Sequence, residues 1–411
     1  MRFLLVFAAV ALLCQGSSAF ASITYVDATT ANTTLQNGTP LVLGSNYTSN
    51  SGQGAMDNLW HLRTGVGNGD SVWTADELSS GSEDVVPLVT TINFPQAGGY
   101  RIFAYIWDSE DVAEDWDVKV RIGSAGVYSK VQASEIEPAN PARFSAAIVT
   151  NESPRRLMQI PVGVVVVQAG GTAQIFIDDD ATVGSRCTWY DGVGYEKIFG
   201  ALGEQIIAID FNKTNVPAAP SQASFRIIGG SSTQNQNSTN IFKSVSAYGV
   251  RLSKASATPF DFRGANGDST RTIPGGPTGL SFLVADFVGG RDGIINIGIS
   301  NLASGTYLFR SYHLEPFNSS NFDFARGSSS ITPNTLRANV AGLLEGIVQP
   351  TALGSVGLAT NFISNTDIPT LAFPINADGS NVVTINLSTI YTNGVDRFIF
   401  LNGFEIFSTT P

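Results

Sequence analysis

Residues Tyr100-Arg-Ile-Phe-Ala-Tyr-Ile-Trp-Asp108, preceded by Gly98-Gly99, recur in the second half of the chain as Tyr307-Leu-Phe-Arg-Ser-Tyr-His-Leu-Glu315, preceded by Gly305-Thr306. Each copy is a short run rich in aromatic and apolar residues that follows a glycine, which is typical of a β-strand after a turn. Because the repeat distance is about two hundred residues, the repeating unit is a domain and not a solenoid turn.

Three further segments recur in the same order. Arg63 with Asn68-Gly-Asp-Ser71 recurs as Arg263 with Asn266-Gly-Asp-Ser269. Ile92–Gly98 recurs as Ile299–Gly305, and Tyr190–Glu196 recurs in shorter form as Leu401–Glu405. The sequence therefore predicts two copies of one fold, residues 22–200 and residues 201–411, with the boundary near residue 200. In this alignment Trp73 stands opposite Arg271.

The first 21 residues have the pattern of a cleaved signal peptide. Arg2 precedes an apolar run, Phe3–Cys14, that is too short to span a bilayer, and Ala19-Phe-Ala21 fits the small-residue cleavage pattern. No later stretch approaches the roughly 20 apolar residues of a membrane helix. We therefore expect a secreted, extracellular protein that is not inserted in a membrane.

Composition favours an all-β protein, because glycine is abundant and charged residues make up only 14% of the chain. Runs rich in β-branched residues lie near turn residues: Ile160–Val167, Ala173–Ile177, Ile206–Phe211, Ser281–Phe287 and Asn381–Leu387. Only Leu336–Ile347 has helical spacing, which predicts a short surface helix. We expect two tandem antiparallel β-sandwiches of the jelly-roll kind.

Charge and cysteine content exclude some classes of partner and of stabilisation. A net charge of −11 would repel the phosphates of nucleic acids and anionic membrane surfaces, so neither is expected as a partner. Without Cys14 of the leader, Cys187 is the single cysteine, and no internal disulfide can form. Each domain must therefore be held by its own apolar core.

Several motifs of the second copy and of the repeated strand resemble a known group of domains. Asp210-Phe211 near the start, Gly305-Thr-Tyr307 before the aromatic strand and Asn402-Gly-Phe-Glu405 at the end are similar to galactose-binding-like and malectin-like jelly rolls of exported surface proteins. The resemblance implies a carbohydrate-binding or adhesive module, often with a structural calcium ion.

Catalytic motifs are scarce. With His61 and His313 as the two histidines, and no Gly-x-Ser-x-Gly or His-Glu-x-x-His, a hydrolytic triad and a zinc site have little support. Both histidines are expected to pack in strands. Acidic clusters at Asp108–Asp117 and Asp178–Asp180 leave three alternatives: a solvated loop, a calcium site, or paired carboxylates of a glycosidase. The calcium candidates are Asp108, Glu110, Asp111 and Asp115.

All five tryptophans lie in the first copy, at Trp60, Trp73, Trp107, Trp116 and Trp189. Because the second copy lacks them, not all should be needed for packing, and an exposed indole can stack on a sugar ring. These residues are the candidate carbohydrate contacts, with Trp116 the strongest because Asp115 and Asp117 flank it. Core packing remains the alternative for each of them.

Two further motifs have structural and functional alternatives. The repeated Asn-Gly-Asp-Ser predicts a hairpin turn, which Arg63 or Arg263 could anchor through a carboxylate, or else a ligand site. Asn-x-Ser/Thr sequons predict glycosylation in an exported eukaryotic chain. They occur at Asn32, Asn37, Asn46, Asn151, Asn212, Asn237, Asn318 and Asn386.

Together these observations favour a secreted, non-catalytic protein that binds extracellular polysaccharide or glycoprotein glycans through its first domain. The alternative from another class is a structural coat or matrix protein that self-associates through its sandwiches. A secreted glycoside hydrolase is the third hypothesis, and calcium is the one cofactor that the sequence suggests.

Overall fold

The computed structural model describes the residue ranges 22–36, 59–69, 72–76, 86–109, 118–123, 129–131, 136–179, 187–213, 224–230, 239–254, 259–264, 286–290, 294–313, 336–340, 343–347, 349–350, 369–389 and 399–410. Across these ranges the protein is built almost entirely of β-strands, and one short 3-10 helix spans Pro141–Arg143. The predicted all-β sandwich fold is confirmed.

Thirteen described strands come from residues 24–199. They are β1 (Thr24–Asp27), β2 (Thr33–Leu35), β3 (His61–Arg63), β4 (Val72–Asp76), β5 (Leu88–Asn93), β6 (Gly98–Ser109), β7 (Val118–Ile122), β8 (Ser129–Val131), β9 (Glu137–Pro138), β10 (Asn151–Glu152), β11 (Arg155–Val167), β12 (Thr172–Asp179) and β13 (Cys187–Phe199).

Fifteen described strands come from residues 201–410. They are β14 (Ala201–Lys213), β15 (Arg226–Gly230), β16 (Asn240–Val245), β17 (Tyr248–Ser253), β18 (Asp261–Gly264), β19 (Asp286–Gly290), β20 (Ile294–Ser300), β21 (Gly305–Tyr312), β22 (Leu336–Val340), β23 (Leu343–Ile347), β24 (Gln349–Pro350), β25 (Pro369–Ala377), β26 (Val383–Thr389), β27 (Ile399–Leu401) and β28 (Gly403–Thr410).

The strands of residues 24–199 form two antiparallel sheets. Sheet I has the order β10-β11-β6-β13-β4-β3, with β1 also paired to β13 and β9 to β11, and sheet II has the order β2-β5-β12-β7-β8. The inward side chains of both sheets share one apolar core. It includes Ile102, Ala104 and Ile160 of sheet I, and Leu88 and Ile175 of sheet II.

The strands of residues 201–410 form sheet III (β15-β14-β28-β21-β25-β24), sheet IV (β16-β17-β20-β26-β22-β23) and a three-stranded sheet V (β18-β19-β27). In β20, Ile295, Ile297 and Ile299 alternate with half-buried residues and point into a core of their own. In the described part of the chain, every strand pairs within its own half, before or after residue 200.

Strand order is the same in the two halves. The order β25-β21-β28-β14 in sheet III repeats β11-β6-β13-β1 in sheet I, and β17-β20-β26-β22-β23 in sheet IV repeats all of sheet II. Sheet V corresponds to the end of sheet I that contains β3, β4 and the start of β13. In sheet I, β3 pairs with β4 and β4 with β13, and in sheet V, β18 pairs with β19 and β19 with β27. Among the described strands, β15 and β16 have no counterpart in the first half.

One glycine marks the same point in both halves. Gly192 pairs with Asp27 on one side and Tyr105 on the other, and Gly403 pairs with Asp210 and Tyr312 in the same way. The carbonyl of the residue before each glycine accepts an equivalent backbone hydrogen bond. The Ala28 amide donates to the carbonyl of Asp191 (3.1 Å), and the Phe211 amide donates to the carbonyl of Asn402 (2.9 Å). This correspondence supports the predicted duplication and its boundary, which remain proposals.

Two details of the sequence prediction are wrong. Leu336–Ile347 forms β22 and β23 and not a helix, because β22 pairs with β26 inside sheet IV, and sheet pairing overrides the helical spacing. Trp73 does not correspond to Arg271. Trp73 pairs across the sheet with Tyr190 on one side and with Leu62 on the other. Val288 pairs in the same way with Leu401 and Phe262. The counterpart of Trp73 is therefore the buried Val288.

Candidate ligand-binding cleft

Sheet I carries a second apolar cluster on the face turned away from sheet II. Strand β6 places Ile102, Ala104 and Ile106 in the inner core, while Phe103, Tyr105 and Trp107 join the outer cluster because side chains alternate along a strand. Residues 136–148 help to cover the outer cluster, which contains Ala139, with Phe144 and Ile148 packed against it.

A small cleft opens at the margin of this outer cluster, and its volume is about 170 Å³ when the gaps between atoms and the solvent at its mouth are included. Its lining combines apolar, aromatic and charged residues: Val66, Gly67, Val72, Trp107, Glu152, Arg155 and Trp189. In this conformation the cleft is too narrow to hold a water molecule. Any ligand must therefore displace a side chain at the rim to enter.

The loop 65–69 forms one wall of the cleft. Gly65, Gly67 and Gly69 all have positive φ, between 69° and 75°, a backbone region that favours glycine. A Cβ on Gly67 would lie 2.5 Å from Oδ1 of Asp191, so a larger residue there would push the loop off the sheet.

Asn68 fastens this loop to two other parts of the first half. Its Nδ2 donates to the carbonyl of Val149 (2.9 Å) and to Oδ2 of Asp191 (2.9 Å), and its Oδ1 accepts from the amide of Val149 (2.6 Å). The Asn68 amide also donates to Oδ1 of Asp191 (3.2 Å). The described part of the repeated Asn-Gly-Asp-Ser motif thus has a structural role, as an anchor for the cleft wall.

Trp189 forms the floor of the cleft between two arginines. The guanidinium carbons of Arg63 and Arg155 each lie 3.8 Å from the centroid of its ring system. Two planar groups at that distance can only occupy opposite faces of the indole, so Trp189 is sandwiched. Arg63 also donates from Nε to Thr74 (3.3 Å). Cation–π contacts of desolvated groups are worth about 2 kcal/mol, which holds this floor rigid.

Asp191 lies beneath the cleft wall and is fully buried. Burial raises the pKa of Asp191 from 3.8 to about 6, and the hydrogen bonds from Asn68 oppose this only in part. Burial also raises the pKa of Tyr25, with Asp191 and Asp27 adding to the effect through their negative charge.

Glu152 is the half-buried acid at the rim. Its Oε1 accepts a hydrogen bond from the Gly67 amide (3.2 Å), and in the β10–β11 hairpin it pairs with Arg155. Sequence reasoning missed Glu152, Arg155 and Gly67 as site residues. The sequence contains one signal that could have pointed to them. Nearly every position of Tyr100–Trp107 is apolar, which indicates a strand that is covered on both faces.

The four described tryptophans do not form an exposed platform. Trp60, Trp73, Trp107 and Trp189 are at most 3% exposed, which contradicts the prediction that they stack on sugars at the surface. The physical reason is that both faces of sheet I are covered, so indoles on either face pack in a core. Trp116 lies outside the described residues, and its role stays a prediction.

The predicted calcium site is largely outside the described residues, since of its four candidates only Asp108 is described. Asp108 is half-buried in β6 and pairs across the sheet with Arg156. In the described ranges, no group of three or more acidic, histidine or cysteine side chains could hold a metal ion. Asp178, from the second acidic cluster, lies 3.6 Å from Nζ of Lys119 in a buried ion pair.

Both histidines are buried in or beside strands, as expected. His313 Nε2 lies 2.8 Å from Oγ of Ser311, and His61 is fully buried in β3 where only half burial was expected. Cys187 begins β13.

The four described sequons differ in accessibility. Asn151 is exposed, whereas Asn212 is only 3% exposed. Asn32 and Asn386 are half-buried and use their side chains in hydrogen bonds, Asn32 to the carbonyl of Asp27 (2.8 Å) and Asn386 to Asn296 (2.7 Å). The remaining predicted sites, Asn37, Asn46, Asn237 and Asn318, lie outside the described residues.

Comparison with known proteins gives only remote likenesses. No family model and no curated protein sequence matches the chain. Among solved structures, the ANX1 ectodomain from Arabidopsis thaliana is 9% identical with a TM-score of 0.30, and the match covers 95% of this chain and 97% of that one. The plant receptor-like kinase FER is 13% identical with a TM-score of 0.22, covering 83% of each chain.

A third likeness covers a smaller part of the protein. A family 35 carbohydrate-binding module from Clostridium thermocellum is 15% identical with a TM-score of 0.20, and the match covers 36% of this chain and 92% of that one. The neighbours thus include receptor-kinase ectodomains and a carbohydrate-binding module, and the resemblance to malectin-like and galactose-binding-like domains stays a prediction. TM-scores of 0.30 and below carry no argument for a ligand. Within the described residues, no helix is long and apolar enough to cross a membrane.

Proposed function

We propose that this chain is a secreted, non-catalytic protein that binds carbohydrate through the cleft in its first half. The observation that supports this most directly is the lining: two indoles, an acid and a guanidinium converge on one opening in sheet I. A sugar offers hydroxyl groups to charged side chains and apolar C–H groups to an aromatic surface. Because arginines cover both faces of Trp189, the indole of Trp107 is the aromatic surface that an opened cleft would offer.

Opening of the cleft is part of the proposal. Arg155 is held by its stacking on Trp189, whereas the described hydrogen bond of Glu152 is the one to Gly67 (3.2 Å). Displacement of Glu152 would widen the cleft and release the Gly67 amide as a donor for a ligand hydroxyl. The carboxylate of Glu152 would then accept a second hydroxyl from the same ring.

The non-catalytic part of the proposal is based on the position of the acids. A glycosidase needs two carboxyl groups facing across a cleft, about 5 to 10 Å apart. Glu152 lines the opening, while Asp191 is sealed behind Gly67 and bound to Asn68. In the described residues that line the cleft, Glu152 is the one acid.

A glycan-array measurement on the full secreted chain, followed by titration of the best ligand, tests the proposal. We expect Glu152→Ala to weaken binding about tenfold or more, since hydrogen bonds to a charged group contribute roughly 1.5–3 kcal/mol. Glu137→Ala, an exposed acid of the same half, is the matched control and should bind like the wild type. Unchanged affinity of Glu152→Ala, or no binding to any glycan, would refute the cleft as the site.

A second variant separates the cleft from the loop that holds Trp116. If Trp116→Ala weakens binding while Glu152→Ala does not, the glycan site lies at Trp116. A chain that binds no glycan at all would favour the alternative, a structural coat or matrix protein. One specific observation supports that alternative, which is the exposed Phe242 on an edge strand of sheet IV.

A further inference from the structure

Among the described strands, two of the second half, β15 and β16, have no counterpart in the first half. In the first half, β1 ends at Asp27 and the first strand of sheet II begins at Thr33. In the second half, the corresponding connection runs from Lys213 to Tyr248 and includes β15 and β16. These strands extend sheet III and sheet IV by one strand each, β15 parallel to β14 and β16 antiparallel to β17.

Strand β16 presents an open edge. It pairs with β17 on one side, and no described strand pairs with its other side. Val245 and Tyr248 flank a two-residue turn and therefore form a hydrogen-bonded pair. Because such pairs alternate along an antiparallel ladder, Phe242 and Ser244 direct their backbone N–H and C=O groups away from β17, toward the open edge.

The outer face of sheet IV is apolar next to this edge. Phe242 is 64% exposed and its ring covers Gly249, with Cε2 3.0 Å from where a Cβ would lie. Val382, 57% exposed, lies against Gly298 in the same manner. Arg251 pairs with Phe242 on one side and with Gly298 on the other. These five residues, Phe242, Gly249, Arg251, Gly298 and Val382, are named the edge patch.

The edge patch and the first half differ in charge. Two basic residues, Lys243 and Arg251, lie on β16 and β17 at the edge, and residues 211–260 contain no acidic residue. The other basic residues of this segment lie elsewhere, Lys213 and Arg226 in sheet III and Lys254 in a buried position. Residues 22–200 contain 21 acidic and 10 basic residues, whereas residues 201–411 contain 13 and 12. The excess negative charge of the mature chain therefore lies almost wholly in the first half, opposite in sign to the segment that builds the edge.

We propose that the edge patch binds the acidic first half of a second copy of this chain, so that copies associate head to tail. The edge supplies backbone groups for strand addition, Phe242 and Val382 supply apolar area, and Lys243 and Arg251 attract the acidic half. Pairing of two β16 edges is disfavoured, because it would bring two segments of the same positive charge together. A head-to-tail contact that does not close produces chains of molecules, not a defined dimer.

Sedimentation velocity of the full secreted chain tests this proposal. We expect the average mass to rise with protein concentration beyond that of a dimer at low ionic strength, and to fall toward the monomer when added salt shortens the Debye length to a few Å. Phe242→Asp and Arg251→Glu should each abolish the rise. Ile227→Asp is the matched control for Phe242→Asp, since Ile227 is 41% exposed, lies in the second half outside the edge patch, and undergoes the same change in charge.

Mixing wild type with Phe242→Asp distinguishes the two modes of association. A Phe242→Asp copy keeps its acidic half, so it should still bind to the edge patch of a wild-type copy and end the growing chain. A symmetric contact would leave the variant out of every complex. Two results would overturn the proposal: a wild type that is monomeric at all concentrations, and a wild type that stops at a dimer which excludes the variant. Circular dichroism is the control that the variant is folded. Glycan binding through the first half is measured separately, on dilute monomer.

Discussion

Asp191 and Asn402 occupy the same position in the two halves, immediately before the glycine of the closing strand that pairs with the first strand. Both residues are fully buried. The second half uses a neutral amide at this position, whereas the first half keeps a carboxyl group whose pKa burial raises to about 6. The first half therefore buries an ionisable group beneath its cleft at a position where the second half has a neutral one.

This difference predicts how stability depends on pH. The pKa of Asp191 is higher in the folded state than its unfolded value of 3.8, so its contribution is present below pH 3.8 and is lost as pH rises through about 6. A shift of about two units corresponds to roughly 3 kcal/mol. We expect Asp191→Asn to lack this loss, so that its stability relative to the wild type rises between pH 4 and pH 7. The amide nitrogen of the variant faces an N–H donor of Asn68, which lowers the stability of the variant by the same amount at every pH.

Urea denaturation followed by tryptophan fluorescence measures this effect selectively, since all five tryptophans lie in the first half. Parallel stability curves for Asp191→Asn and the wild type between pH 4 and pH 7 would contradict the prediction. Glu137→Ala, an exposed acid, controls for a general change in charge.

Core packing predicts the consequence of truncating Trp73. This indole is fully buried and its Nε1 donates to the carbonyl of Ala28. We expect Trp73→Ala to lower the free energy of unfolding of the first half by about 3–5 kcal/mol, because a large cavity is left. Trp73→Phe keeps a ring and loses the donor, so it should cost less. Equal stability of the two variants in urea denaturation would show that the volume of the indole contributes nothing.

The ion pairs of Glu196 predict unequal effects for two arginines. Glu196 Oε2 lies 2.6 Å from Nη2 of Arg143, and Oε1 lies 3.5 Å from Nη1 of Arg101. Both arginines are partly exposed, so each pair should be worth about 1 kcal/mol or less, with the shorter pair the stronger. A double-mutant cycle with Glu196→Gln should give a larger coupling energy for Arg143→Ala than for Arg101→Ala. The reverse order would mean that the shorter contact is absent in solution.

Burial predicts which of two sequons is used. Asn151 is exposed, whereas Asn212 is buried in β14, where an attached glycan could not fit beside sheet III. After secretion from a eukaryotic host, glycopeptide mass spectrometry should find a glycan at Asn151 and none at Asn212. Asn151→Gln should then reduce the mass of the protein, while Asn212→Gln should leave its glycan content unchanged. A glycan found at Asn212 would be incompatible with this packing.

Several strands could be placed from the sequence because their pattern is local. Ile160–Val167, Ala173–Ile177 and Ile206–Phe211 lie within β11, β12 and β14, and Asn381–Leu387 largely coincides with β26. Leu336–Ile347 was harder, since four apolar positions at helical spacing also fit two short strands, and only pairing with β26 decides between them.

Site prediction failed where burial depends on distant parts of the chain. Whether Trp107 and Trp189 contact solvent is decided by the segment around Phe144 and Ile148, which covers the outer face of sheet I. Nothing in the neighbourhood of either tryptophan in sequence signals this cover. The same is true of Asp191, because the burial that raises its pKa depends in part on Gly67, in a loop more than a hundred residues earlier.

The repeated segments and strand periodicity by themselves determined that this protein is all-β, because alternation of side chains along a strand is encoded residue by residue. Tertiary structure alone decided which face of each strand is sealed, which acid is buried and where an edge strand is left open. These properties depend on contacts between segments far apart in the chain, and free energies of burial and of charge are set by such contacts.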